Sequence, residues 1–202
     1  LIYHSIDSTI KHRKIEELVD LPKVVLVNKF DEESAKNFRH DFTKAINTGQ
    51  KVIPVVIDSF GGEVYSLMSM VATIQSSPVK VATISTGKSM SCGSILLSCG
   101  EEGMRYIDPA ATVMIHDVAN MAWGKIEDLK ASTAEADRLN QIVFKLMAKN
   151  CGKDDDYFFR LIDEAKHADL YLDAKACKHH NLANHIRFPS FKVKVSSEVS
   201  FS

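Results

Sequence analysis

A chain of 202 residues, 45% hydrophobic and 25% charged, is one ordinary domain that can bury roughly 70% of its unfolded surface without staples. Its formal net charge of -1 leaves no electrostatic footprint for nucleic acid or an anionic membrane. No apolar run approaches the roughly 20 residues that a spanning helix needs, and the polar start LIYHSIDSTIKHRK lacks the apolar core of a secretory signal.

Along the chain, KVVLVN (23–28) is a β-branched run followed by Asp31 as a helix cap. DEESAKNFRHDFTKAINTG has acids in its first turn, Gly49 as its stop, and Ala35, Phe38, Phe42, Ala45 and Ile46 at helical spacing. KVIPVVIDS (51–59) is a second strand in which Pro54 signals an edge or a local irregularity. Gly61-Gly62 then opens a helix whose Val64, Leu67, Met68, Val71 and Ile74 face a core, and Pro78 ends it. VKVATIS is the third strand, and STGKSMSCGS (85–94) reads as a tight turn into a helix, SILLSCGEEG.

MRYIDPAATVMIHD gives two short strands around Asp108-Pro109. The clearest helix follows within 125–151, with Ile126, Leu129, Ala136, Leu139, Val143 and Leu146 on one face and Gly152 as terminator. KDDDYFFRLIDEAKHA is a further helix with an acidic start, DAKACKHHN a short one, and FKVKVSSEVSF a β-rich tail. Strands alternating with helices imply an α/β fold with parallel pairing through right-handed crossovers.

Cys92, Cys99, Cys151 and Cys177 show no CxxC spacing, which points to reduced thiols in a cytoplasmic protein rather than to zinc or a redox pair. His179, His180 and His185 lack a carboxylate or cysteine at ligand spacing, so KHHNLANH reads as a solvated loop and no metal or cofactor is expected. KDDD and KHRK read as exposed charge clusters.

Two turns can build a site, DSFGGE (58–63) and TGKSMSCG (86–93), because strand ends and the helix starts behind them line ligand sites in this architecture. A serine at a helix start gains from the positive end of the dipole and from free backbone N–H groups. Two such groups can stabilise an oxyanion. Gly61 and Gly62 allow a substrate backbone to come close, having no Cβ in the way. His116, at the end of VMIH, is a candidate base, and Asp169, directly before Leu-Tyr-Leu, can fix its tautomer.

These residues resemble the proteolytic subunit of the Clp protease (ClpP) and related phage-encoded proteases. That family carries a Ser-Pro-Gly-Gly turn, a Gly-x-x-x-Ser-x-Gly turn, a Met-Ile-His segment and an Asp before an aromatic-Leu step. The chain has SFGG (59–62), GKSMSCG (87–93), VMIH (113–116) and DLYL (169–172) in the same order. The resemblance implies a Clp protease and crotonase-like α/β fold over residues 23–188, with 1–22 as an N-terminal segment and 189–202 as a C-terminal extension. It implies Ser91 as nucleophile, His116 as general base and Asp169 as its orienting acid, with the N–H groups of Gly62 and Cys92 as the oxyanion hole. Gly61, Glu63, Val64, Val118, Ala119 and Asn120 would flank an extended polypeptide substrate. The helix about 125–151 matches the family's "handle", which interleaves two stacked seven-membered rings of a homo-oligomeric chamber.

The chain departs from the family pattern at Phe60 for Pro, Cys92 for Met and Asp117 for Gln. Relatives that dock an AAA+ unfoldase show aromatics in the strand before the Gly-Gly turn. Here Pro54 and Val56 stand there, with Tyr106 the one aromatic in a matching place. Ser89 is a rival nucleophile, set aside because Ser91 puts Gly93 where the motif has it. Two other functions remain as alternatives: a crotonase-fold acyl-CoA enzyme using the paired N–H groups for an enolate, and a non-catalytic ring or scaffold subunit.

Overall fold

The computed structural model describes residues 23–119 and 123–190. The N-terminal segment 1–22, the β-rich tail from 191 onward and Asn120 lie outside the described residues. One seven-stranded sheet runs in the order β1-β2-β3-β4-β7, with β5 attached to β3 and β6 to β5. The strands are β1 (Val25–Val27), β2 (Val52–Ser59), β3 (Lys80–Met90), β4 (Arg105–Ile107), β5 (Thr112–Ile115), β6 (Leu170–Leu172) and β7 (His185–Ile186). The helices are α1 (Glu32–Asn47), α2 (Val64–Gln75), α3 (Cys92–Ser98), α4 (Ile126–Asn150), α5 (Tyr157–Glu164) and α6 (Ala174–His179). All neighbouring pairs are parallel except β5–β6, which is antiparallel and departs from the uniform parallel expectation.

The expected helix signals act as read. Asp31 caps α1: its carboxylate accepts the Ser34 N–H at 2.7 Å, while Ser34 Oγ accepts the Asp31 N–H at 2.9 Å. This reciprocal box satisfies donors that would otherwise be orphaned at the helix start. The buried face of α1 is Ala35, Phe38, Phe42 and Ala45, and Phe38 and Phe42 stack 5.5 Å apart. Each buried phenylalanine contributes about 1.5–3 kcal/mol of transfer free energy. β2 lies inside the sheet, yet β1 begins to pair with it only at Val55, so Pro54 stands where that side is still an edge.

The largest correction concerns β3. STGKSM is not a turn; it is the second half of an 11-residue strand, and the turn is confined to Ser91. Register runs from Ile57↔Ser85 to Ser59↔Ser89, so β3 carries extra residues opposite Asp58 and bulges. A bulge bends its strand and re-aims the residues beyond it. Gly87 sits in this bulge at φ 59, where a Cβ would lie 3.1 Å from Asp58 Oδ1. Lys88 Nζ closes the outside by pairing with Asp58 at 2.7 Å. On the inside Ser89 Oγ donates to Ser85 Oγ at 2.7 Å, both residues fully buried.

The bend lets β3 change partners. Thr83–Ser85 pair with β4 through Arg105–Ile107, whereas Lys88–Met90 pair with β5 through Thr112–Met114. Small side chains that look like a loop are thus what lets one strand serve two neighbours. β7 has no counterpart in the sequence reading, because two residues give no period to see.

On α4 the expected stripe divides. Leu139, Val143, Phe144, Met147 and Ala148 are buried, but Ile126 is 70% exposed and Leu129 37% exposed. The C-terminal half of the helix packs on the domain. The N-terminal half, with Trp123 just before it at 92% exposure, stands clear. None of the described helices is long and apolar enough to cross a membrane.

Candidate active site

The site is built where β3 ends. Ser91 occupies φ 53, ψ -120 between β3 and α3, a region that side-chain-bearing residues rarely adopt. Three contacts hold it there. Its N–H donates to Met114 O at 2.8 Å, and its carbonyl accepts both the Ser94 N–H at 2.9 Å and Ser94 Oγ at 2.7 Å. A sharp elbow of this kind lifts the hydroxyl clear of the sheet at a helix start.

The Gly-Gly turn packs against the elbow. A Cβ on Gly61 would lie 2.7 Å from Ser91 Cβ, and one on Gly62 would lie 2.4 Å from the carbonyl oxygen of Phe30. Both positions also have positive φ, 102° and 150°, so only glycine fits without rearrangement. The Glu63 N–H donates to Phe30 O at 2.7 Å, and the Gly61 N–H to Ser59 Oγ at 3.1 Å. Ser91 and Ser94 N–H groups are committed as described, while the amides of Gly62 and Cys92 donate to no backbone carbonyl among the described residues. Cys92 Sγ donates to Gly62 O at 3.2 Å and ties the two turns together.

Ser91 and His116 open onto one pocket of about 130 Å³. Gly62, Val64, Cys92, Val118 and Ala119 line it; Gly61 lies beneath Ser91, and exposed Glu63 accepts from Ser66 Oγ at 3.0 Å. The reading missed its apolar wall of Ile95, Ile115, Val143 and Phe144, half of it supplied by α4. Ser89 is sealed in the sheet against Ser85, so of the two rival serines it is Ser91 that reaches the pocket, which Ser94 also lines.

Asp169 does not line this pocket and is exposed. β5 and β6 pair Val113↔Leu172, Met114↔Tyr171 and Ile115↔Leu170, and one position beyond the end of that ladder stand His116 and Asp169. Within the described residues neither makes a side-chain hydrogen bond. Hydrogen bonds of this kind often tighten only once substrate is bound. Asp117, noted in the sequence only as a departure, is by contrast fully engaged. Its carboxylate accepts from Asn140 Nδ2 at 2.8 Å and from His167 Nδ1 at 2.7 Å.

Burial pushes the Cys92 thiol up to about 11, outweighing the hydrogen bonding that the Gly62 backbone and the Ser91 hydroxyl offer its sulfur. The thiolate is the reactive form. Native protein at about pH 8 should therefore incorporate iodoacetamide at Cys92 far more slowly than urea-unfolded protein. Mass spectrometry of the Cys92 peptide reads the ratio, and equal rates would show an open, ionised thiol beside Ser91. The histidines of KHHNLANH are engaged in part: His180 Nδ1 meets Tyr157 Oη at 2.8 Å and His185 Nε2 meets Gly103 O at 2.9 Å. No cluster of three or more His, Cys, Asp or Glu forms a ligand set among the described residues.

A largely parallel α/β sheet with a strained serine elbow, a glycine turn pressed against it and a histidine across the pocket defines a hydrolase-like class of site. The comparison with known families is in keeping: the family model described as Clp protease matches residues 8–189, and the chain belongs to that family. At family level it is a Clp-type peptidase, in a family whose members generally form oligomeric rings.

Proposed function

We propose that the chain is a serine endopeptidase that cleaves unfolded polypeptides or peptides inside a homo-oligomeric chamber. Ser91 is the nucleophile, His116 the general base and Asp169 its orienting acid. The observation that carries this reading is the strained elbow that presents Ser91 to a pocket shared with His116. Family membership and the register that sets Asp169 opposite His116 support it.

In this reading Ser91 Oγ attacks the scissile carbonyl as His116 takes its proton. The tetrahedral oxyanion is held by the N–H groups of Gly62 and Cys92, which work best where water is excluded. His116 returns the proton to the leaving amine, leaving an acyl-enzyme that water, activated by the same imidazole, hydrolyses. The substrate lies extended beside Gly62–Val64 and Val118–Ala119 and gains affinity as an added strand. An apolar side chain suits the wall of Val64, Ile95, Ile115 and Phe144. The exposed Trp123, Ile126 and Leu129 at the free end of α4 support assembly with further copies of the chain through the handle.

A fluorophosphonate probe tests the nucleophile directly. The expected result is one covalent adduct per wild-type chain on the Ser91 peptide and none on Ser91→Ala. Equal labelling of both would remove Ser91 from the mechanism. A large assembly, measured by light scattering, that neither labels nor cleaves peptides would favour a non-catalytic ring subunit.

A further inference from the structure

The ladder that sets His116 opposite Asp169 has three residue pairs and stops at Ile115 and Leu170. Ladder ends fray, yet a misplacement of about 1 Å in a catalytic group costs on the order of a hundredfold in rate. We propose that Asp117 and His167 are positioning residues whose contact clamps the segment carrying His116 to the segment carrying Asp169. The inference rests on the triad reading and adds to it a pH-sensitive restraint.

Asp117 follows His116 directly, and His167 precedes Asp169 by two positions, so one contact bridges the two chain ends just outside the ladder. It is a close one, His167 Nδ1 donating to Asp117 Oδ2 at 2.7 Å. The other carboxylate oxygen is held by Asn140 Nδ2 at 2.8 Å, and Asn140 Oδ1 accepts the Val118 N–H at 3.1 Å. Asn140 lies on α4, so both residues after His116 are fastened to that helix, and Asp117 also to the turn that follows α5.

Backbone geometry points the same way. Lys166 and His167 take φ 56 and 59 in succession, which side-chain-bearing residues adopt at a cost. In doing so they close α5, the Lys166 N–H donating to Asp163 O and the His167 N–H to Ile162 O, both at 2.9 Å. This reversal turns the His167 ring back onto Asp117. Local strain of this sort persists where the surroundings hold it, and often where function uses it.

The charges facing the imidazole are Asp117 from the segment after β5 and Asp163 from α5, the latter 3.4 Å from Nε2. From α4 the neutral Asn140 acts through Asp117. The hydrogen bond to Asp117 first, then the charges of Asp117 and Asp163, hold the His167 pKa above the ordinary imidazole value of 6.5. The charged clamp is therefore complete below that ordinary value and is lost as pH rises through the raised one. Because His167 is 65% exposed along its side chain, salt weakens the clamp.

Two measurements test this. In the first, kcat is followed against pH for wild type, His167→Gln, which still donates to Asp117 but does not titrate, and His167→Ala. Wild type should show an alkaline decline that His167→Gln lacks. His167→Ala should lower kcat about threefold at about pH 6, within the range of an exposed ion pair, with KM nearly unchanged. An alkaline limb that survives in His167→Gln overturns the proposal.

In the second, hydrogen exchange by mass spectrometry compares peptides covering 113–118 and 168–172 at matched pH. Wild type should be better protected than His167→Ala at low salt, with the difference shrinking at high salt. If the probe finds no Ser91-dependent labelling, the triad reading falls by itself, and the clamp is then judged by exchange alone. Equal protection in the two proteins overturns it.

Discussion

Ser91→Ala, His116→Ala and the double variant are expected to fall to one common floor of peptide turnover, each about a millionfold below wild type. In the proposed triad the reason is mechanical interdependence. Without the imidazole the Ser91 hydroxyl has no acceptor for its proton; without the hydroxyl the imidazole has nothing to activate. Removing the second group therefore removes nothing further, and residual catalysis comes from the oxyanion donors and from binding. Asp169→Asn should cost less, roughly ten-thousandfold, because it misorients the imidazole without deleting it. Asp169 is the most informative of the three, since it is exposed and lies outside the pocket. Single-turnover cleavage of a short peptide by each purified variant gives the numbers. A double variant losing the product of the two single losses would mean that Ser91 and His116 act independently, and a fully active Asp169→Asn would remove it from the relay.

Much of the fold was legible because its signals are local and periodic. Asp31 as a cap, the Phe38 and Phe42 spacing, and Leu139 and Val143 on one helix face each declare themselves within a few residues. The candidates Ser91 and His116 drew notice for a different reason, each following directly on a short patterned strand, whereas Asp169 stands just before one. STGKSM misled because small polar residues have low strand propensity, while here they meet a demand that only the neighbours make, a bulge that turns β3 from β4 to β5. Asp117 read as a bare departure since both partners, Asn140 and His167, come from distant elements. The wall supplied by Val143 and Phe144 was hidden likewise, as nothing along α4 marks which residues of its apolar stripe meet a pocket.

Arg105 is the extreme case of such long-range determination, and its loss is expected to destabilise the fold by about 3 kcal/mol or more. Within MRYID it looks like a surface residue of a short strand, yet it is wholly buried. Its guanidinium donates to Ser98 O at 3.3 Å and also to Asn150 O, the last carbonyls of α3 and α4. Nε donates to Asn184 Oδ1 at 3.2 Å, and Nη2 pairs with Glu102. One cation thus neutralises the negative ends of two helices, and one of those helices carries the Ser91 elbow at its other end. In Arg105→Met both carbonyls lose their donor inside the protein. Glu102 is 69% exposed, so Glu102→Gln should cost less than about 1 kcal/mol. Arg105→Lys should fall between, because a single ammonium cannot span both helix ends in the fork geometry of a guanidinium. Urea unfolding at one fixed protein concentration ranks the three. If Glu102→Gln proved as damaging as Arg105→Met, the surface ion pair rather than the paired helix ends would be what Arg105 supplies.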